Sequence, residues 1–88
     1  MLTLVPTAIE NYARAHTCAE TTVMKDLKEA TLAQTEMPQM LSGPLVGQTL
    51  RSLCRLSGGM LAVEVGTFTG YASLWIAGGL KPQGQLIT

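Results

Sequence analysis

The chain has 88 residues, of which 47% are hydrophobic, a composition typical of a globular protein with at most one domain. Six basic and six acidic residues give a formal net charge of zero, and no block of Lys and Arg is present. The charge pattern therefore excludes the basic surface expected of a nucleic-acid-binding protein. No apolar run approaches the roughly 18 residues that span a bilayer, so we expect no membrane partner.

The two cysteines, Cys18 and Cys54, are far apart and form no CxxC pair. This spacing argues against a structural zinc site and against a disulfide scaffold, and it favours a reducing compartment. The first residues lack the basic start and apolar core of a signal peptide. We therefore expect a soluble cytoplasmic protein. His16 is the single histidine, and a lone histidine at a helix end is usually a surface or capping residue, so no catalytic role is assigned to it.

Helical periodicity dominates the first two thirds of the chain. Apolar residues recur at helical spacing over residues 7–16, 21–36 and 44–56, which predicts three helices. Pro38 ends the second helix, and the glycines after residue 57 favour the left-handed exit from the third.

The pattern changes after residue 58. The short apolar run at 60–65 predicts a strand buried on both faces, residues 71–79 predict a helix, and residues 85–88 predict a second strand. Strand, helix and strand in this order form a parallel crossover unit, so the fold class is α/β. Two short parallel strands do not make a stable open sheet. We therefore expect the chain to be the amino-terminal fragment of a larger protein.

The connection between the first strand and the next helix reads EVGTFTGYAS, residues 64–73. Unpaired N–H groups at the start of such a helix attract a polar ligand, and Gly66 and Gly70 allow close approach of the backbone. Glu64 needs a partner, because an unpaired carboxylate in an apolar run is costly. One alternative is that Glu64 caps local N–H groups or pairs with a basic residue, and that the glycines only make a tight turn.

The spacing in this connection excludes two common nucleotide motifs. Counting from Gly66, Phe68 and Tyr71 occupy the positions where G-x-G-x-x-G requires glycines, and no Gly-Lys-Ser/Thr follows. The mismatch counts against a dinucleotide site and against a P-loop.

The segment LAVEVGTFTGYASLWIAGGLKPQGQLIT, preceded by MLSGPLVGQTLRSLCRLSGG, resembles the S-adenosylmethionine-dependent O-methyltransferases of the caffeoyl-CoA and catechol type. The resemblance spans about residues 40–88, and its strongest part is acid-x-Gly-Thr-x-Thr-Gly-Tyr. It implies the amino-terminal part of a Rossmann-like class I methyltransferase, with three helices followed by the strand-helix-strand start of a parallel sheet. Residues 1–57 would be a helical cap segment and residues 58–88 an incomplete first βαβ unit.

The resemblance also implies roles for individual residues. Glu64 corresponds to the acid near the methionine part of S-adenosyl-L-methionine, where it can hold the ammonium group. Gly66 and Thr67 correspond to backbone contacts at the turn, and Ser42 to a hydroxyl residue offered to the same ligand. The family commonly has serine where this chain has Ala72, so the hydroxyl is either lost or supplied by Ser73, about 100° further round the helix.

The function implied by the resemblance is methyl transfer from S-adenosyl-L-methionine to a hydroxyl of a small, phenolic or catechol-like substrate. The family's catalytic residues and the ligands of a divalent metal such as Mg²⁺ would lie outside this chain, so the 88 residues alone are predicted to be inactive. The full-length enzyme is expected to be a homodimer. Two alternatives are a non-catalytic helical dimerisation module and a nucleotide-binding unit of an oxidoreductase.

Overall fold

A computed structural model describes residues 4–88, and in this range it contains four α-helices, one short 3-10 turn and a parallel two-stranded sheet. The elements are α1 (Thr7–Ala15), α2 (Thr22–Gln34), the 3-10 turn (Pro38–Met40), α3 (Gly43–Leu56), β1 (Leu61–Val63), α4 (Tyr71–Gly79) and β2 (Gln85–Ile87). The α/β fold class predicted from the sequence is confirmed. None of the helices within residues 4–88 combines the length and apolarity needed to cross a membrane.

A threonine stands at each end of α2. The Thr21 hydroxyl accepts a hydrogen bond from the backbone N–H of Met24 at 3.3 Å, which satisfies one of the free donors at the start of the helix. At the other end Thr35 adopts an extended conformation, and its hydroxyl donates to the Thr31 carbonyl at 2.6 Å. The helix therefore ends at Gln34, two residues before the predicted end.

Among the elements within residues 4–88, α3 and α4 pack most extensively against each other. Trp75 of α4 is completely buried, and its indole ring lies directly against the backbone of Gly47 in α3. A Cβ atom at position 47 would overlap the indole ring, so only glycine lets the two helices approach this closely. Met24, Leu41 and Tyr71 complete the buried apolar cluster around Trp75.

A buried hydroxyl pair attaches α2 to the segment that precedes α4. Thr31 is 2% exposed, and its hydroxyl lies 2.7 Å from the Leu27 carbonyl and 2.9 Å from the Thr69 hydroxyl. The Thr31 hydroxyl donates to the Leu27 carbonyl and also lies within hydrogen-bond distance of the Thr69 hydroxyl. The buried oxygen is thereby satisfied, and the turn before α4 is held against α2.

The sheet pairs Leu61 with Gln85, Ala62 with Leu86 and Val63 with Ile87 in parallel register. The prediction that the first strand spans 60–65 and is buried on both faces is wrong. Only three residues form the strand, and the side chains of Leu61 and Val63 are 63% and 66% exposed. The physical reason is that α4 packs against one face of the sheet, whereas no described element covers the other.

Candidate functional site

Three left-handed residues shape the turn between β1 and α4. Gly66 and Gly70 have φ values of 94° and 89°, and Phe68 has a φ of 50°. The N–H of Gly70 donates to the Thr67 carbonyl at 2.9 Å, which closes the turn just before α4 begins. A Cβ atom at Gly66 would meet no atom within 4 Å. The glycine is therefore required by its backbone conformation, and the space in front of it is open.

This turn forms one wall of a cleft of about 320 Å³. The 3-10 turn, α3 and the first turn of α4 supply the other walls. Five of the six residues predicted for the site line the cleft, namely Ser42, Glu64, Gly66, Thr67 and Ala72. The fold thus brings together residues that are up to 30 positions apart in the sequence.

Glu64 follows the last residue of β1, and its backbone N–H continues the sheet by donating to the Ile87 carbonyl at 2.8 Å. Its side-chain Oε1 accepts hydrogen bonds from the hydroxyls of Ser73, at 2.5 Å, and Thr88, at 2.8 Å. Within residues 4–88, no hydrogen bond or ion pair reaches Oε2. The partners of Glu64 are therefore hydroxyls, not the N–H groups or the basic residue of the alternative interpretation.

A second threonine extends this network. The hydroxyls of Thr67 and Thr88 are 2.7 Å apart. Because the single proton of Thr88 is donated to Glu64, the Thr67 hydroxyl donates to Thr88. The chain of contacts connects the turn, the end of β2 and the acidic side chain. Thr88 carried no signal in the sequence, since its role depends on the register of the two strands.

Ala72 and Ser73 occupy different surroundings, as expected for adjacent positions on a helix. Ala72 presents a methyl group to the cleft. Ser73 reaches the site indirectly, through its hydrogen bond to Glu64. Ala72, at the position where the family commonly has serine, therefore offers no hydroxyl to the cleft. The hydroxyl of Ser73 binds the Glu64 carboxylate instead.

A further contact joins the cleft to the segment between α1 and α2. The hydroxyl of Tyr71, a cleft residue that is 2% exposed, donates to Glu20 Oε2 at 2.6 Å, and Lys28 Nζ donates to Glu20 Oε1 at 2.6 Å. Burial alone would raise the pKa of Glu20, but the hydrogen bonds from Lys28 and Tyr71 and the positive charges of Lys28 and Lys25 outweigh it and lower this pKa. Burial, together with the bond to Glu20, raises the pKa of Tyr71.

Sequence reasoning missed this contact, because Tyr71 and Glu20 are 51 positions apart and no motif connects them. In residues 4–88 there is also no group of three or more His, Cys, Asp or Glu side chains placed to hold a metal ion. The described residues thus form an acidic, hydroxyl-rich cleft at the carboxyl end of β1. Its acid, Glu64, has one carboxylate oxygen without a hydrogen-bond partner within residues 4–88.

Comparisons with known proteins identify the family and the fold. The family model described as O-methyltransferase matches residues 14–88. A catechol O-methyltransferase from Niastella koreensis is 36% identical over 58 residues, which are 66% of this chain and 26% of that protein. An O-methyltransferase homologue from Mycolicibacterium smegmatis is 47% identical over 45 residues, which are 51% of this chain and 21% of that protein.

The chain therefore spans about a fifth to a quarter of the length of these curated relatives. Among solved structures, the SAH-bound methyltransferase PaMTH1 from Podospora anserina superimposes with a TM-score of 0.80 over 98% of this chain and 40% of that chain. At 15% identity this match establishes the fold alone, and it confirms the predicted Rossmann-like methyltransferase fold. Because the family model covers most of the sequence, the chain belongs to the O-methyltransferase family.

Proposed function

We propose that the cleft at the end of β1 holds the methionine end of S-adenosyl-L-methionine in an O-methyltransferase. The observation that carries this proposal is Glu64, which lines the cleft, has its Oε1 held by two hydroxyls, and has no hydrogen-bond partner for Oε2 within residues 4–88. A carboxylate oxygen presented in this way suits the ammonium group of the ligand, because charge-assisted hydrogen bonds are the strong ones.

The backbone around Glu64 supports the same assignment. Gly66 leaves open space in front of the turn, so a ligand can approach the main chain there. The N-terminus of α4 has no side-chain cap, and free N–H groups at a helix start favour a carboxylate such as that of the methionine part. In this proposal Thr67 contributes a backbone contact and Ser42 a hydroxyl from the opposite wall.

S-adenosyl-L-methionine, when bound, would supply the methyl group. The acceptor we propose is a hydroxyl of a small phenolic or catechol-like molecule, and the support is the similarity to the catechol O-methyltransferase from Niastella koreensis. We assign the described residues to the cofactor alone, and the proposal places the ligands of any divalent metal such as Mg²⁺ and the catalytic residues elsewhere in the full-length enzyme. A cytoplasmic homodimer remains part of the proposal.

Calorimetry on the purified full-length protein tests the cofactor assignment. S-adenosylhomocysteine should bind, and NADH should not. The Glu64→Ala variant should bind S-adenosylhomocysteine about 10- to 100-fold more weakly, because a hydrogen bond to a charged group is lost. The Glu29→Ala variant is the matched control, since it removes an exposed carboxylate from α2 and leaves the cleft intact. Unchanged affinity in a folded Glu64→Ala variant would show that the proposed contact is wrong.

A further inference from the structure

We propose that Ser73 is a positioning residue, which orients Glu64 toward the ligand and does not itself bind the ligand. This inference rests on the proposed function and specifies how the acid of that site is held. It starts from the hydrogen bond between the Ser73 hydroxyl and Glu64 Oε1. That bond joins the first turn of α4 to the residue that follows β1.

The single hydroxyl proton of Ser73 supports this role. Serine has one hydroxyl proton, and Ser73 donates it to Glu64. While this bond persists, Ser73 has only lone pairs to offer and has no proton to donate to the carboxylate of a ligand. Ala72, the neighbour that does line the cleft, has no hydroxyl. The Ser73 hydroxyl therefore binds Glu64 and not the ligand.

The second donor to the same oxygen defines the orientation of the carboxylate. Thr88 reaches Oε1 from the end of β2, whereas Ser73 reaches it from α4. Thr67 in turn donates to Thr88 and fixes the direction of its proton. With Oε1 held from two elements, rotation of the carboxylate is restricted, and Oε2 is the oxygen left without a hydrogen-bond partner among residues 4–88. A carboxylate fixed in this way loses less conformational entropy when a ligand binds.

A double-mutant cycle tests whether Ser73 acts through Glu64. The affinity for S-adenosylhomocysteine is measured in the wild type, Ser73→Ala, Glu64→Ala and the double variant. We expect Ser73→Ala to weaken binding about 3- to 10-fold in the wild-type background, because the Glu64 carboxylate is then no longer fixed before the ligand binds. In the Glu64→Ala background the same substitution should have almost no effect. Equal losses in both backgrounds would show direct contact with the ligand and overturn the inference.

A second ligand separates positioning from a general structural role. Methylthioadenosine lacks the amino-acid part of S-adenosylhomocysteine, so its binding should be insensitive to Ser73→Ala. Weaker binding of both ligands would indicate a disturbed cleft and contradict the proposal. Ser73→Thr keeps the hydroxyl and should restore most of the affinity. Ser52→Ala is the matched control, because Ser52 is a mid-helix serine of α3 whose hydroxyl bonds to Gln48.

The crystal structure of the ligand-free Ser73→Ala variant provides a readout that does not depend on the proposed function. We expect the Glu64 carboxylate to leave its position in this variant and to keep that position in Ser52→Ala. A carboxylate that stays in place would overturn the positioning role. If the wild type bound neither nucleoside ligand, the proposed function would fall, and the variant structure would still decide whether Ser73 holds the acid.

Discussion

At the scale of single residues, the contact between Tyr71, Glu20 and Lys28 connects the cleft to the helical segment that precedes it. One carboxylate receives both donors, so each Glu20 oxygen is satisfied by a different element. Tyr71 belongs to the buried cluster and also lines the cleft. The hydroxyl of Tyr71 therefore links Glu20 to the first residue of α4.

Removing that hydroxyl should cost stability. We expect Tyr71→Phe to lower the free energy of unfolding by about 1–3 kcal/mol, because a hydrogen bond to a charged and largely buried group is lost. Urea denaturation followed by circular dichroism measures the change. Tyr12→Phe is the matched control, since Tyr12 is 68% exposed and stacks on His16, and its change should stay within about 0.5 kcal/mol. Equal effects of the two substitutions would contradict a stabilising role for the bond to Glu20.

Local spacing was sufficient to predict part of this residue-scale picture. Glu64 and Gly66 lie within ten positions of each other and of α4, so the motif around them could be recognised from the sequence. The hydrogen bonds of Glu64 to Thr88 and of Tyr71 to Glu20 could not be predicted from the sequence. The first depends on strand register, and the second depends on how the segment around α2 packs against α4. Whether the predicted residues bind the cofactor stays a prediction.

At the scale of elements, periodicity predicted the helices well, and α4 has the predicted bounds. The errors occur where tertiary contacts decide the outcome. The extended backbone of Thr35 ends α2, and the first strand has half the predicted length because only Leu61–Val63 pair with β2. The close approach of α3 and α4 was not foreseen, since a glycine inside a helix gives no sign of the side chain it will meet.

The close packing of α3 against α4 predicts which glycine substitution destabilises the protein. Gly47→Ala should destabilise the protein by about 1–3 kcal/mol, because overpacking against Trp75 exceeds the gain in helix propensity. Gly78→Ala is the control, since a Cβ at that position would lie 3.8 Å from the nearest atom, an ordinary contact distance. That substitution should be neutral or stabilising by up to about 1 kcal/mol. Thermal unfolding of both variants by calorimetry checks the difference, and equal midpoints would contradict the packing argument.

At the scale of the whole molecule, the buried core is small and lies between the helices. The chain has a radius of gyration of 13.4 Å, and its buried apolar residues are concentrated around Trp75. One face of the sheet remains uncovered within the described residues, and Leu61 and Val63 are exposed on it. We therefore expect stability to depend strongly on a few polar contacts between elements, among them the contact of Glu20 with Tyr71 and Lys28.

The pH dependence of stability follows from that contact. The pKa of Glu20 is lowered by folding, so its contribution is fully present above its ordinary value of 4.5 and is lost as the pH falls through the folded-state pKa. The free energy of unfolding of the wild type should exceed that of Glu20→Gln near neutral pH, and the difference should shrink below about pH 4.5. Urea denaturation at several pH values measures this difference, and a constant difference would refute the assignment.

At alkaline pH the contribution of this contact to stability changes in the opposite direction, because it falls as the pH rises. Because folding raises the pKa of Tyr71, the contribution of its neutral hydroxyl is present below the ordinary value of 10.0 and is lost as the pH rises above it. The contact is therefore most effective over the broad neutral range, when Glu20 is charged and Tyr71 is not.

The packing of Trp75 against Gly47 also gives the molecule an intrinsic optical reporter. The chain contains a single tryptophan, so all indole emission comes from one buried position between α3 and α4. Trp75 lies one helical turn after Tyr71, which lines the cleft. Fluorescence from this one side chain thus registers the separation of the two helices and the state of the neighbouring cleft without any attached label.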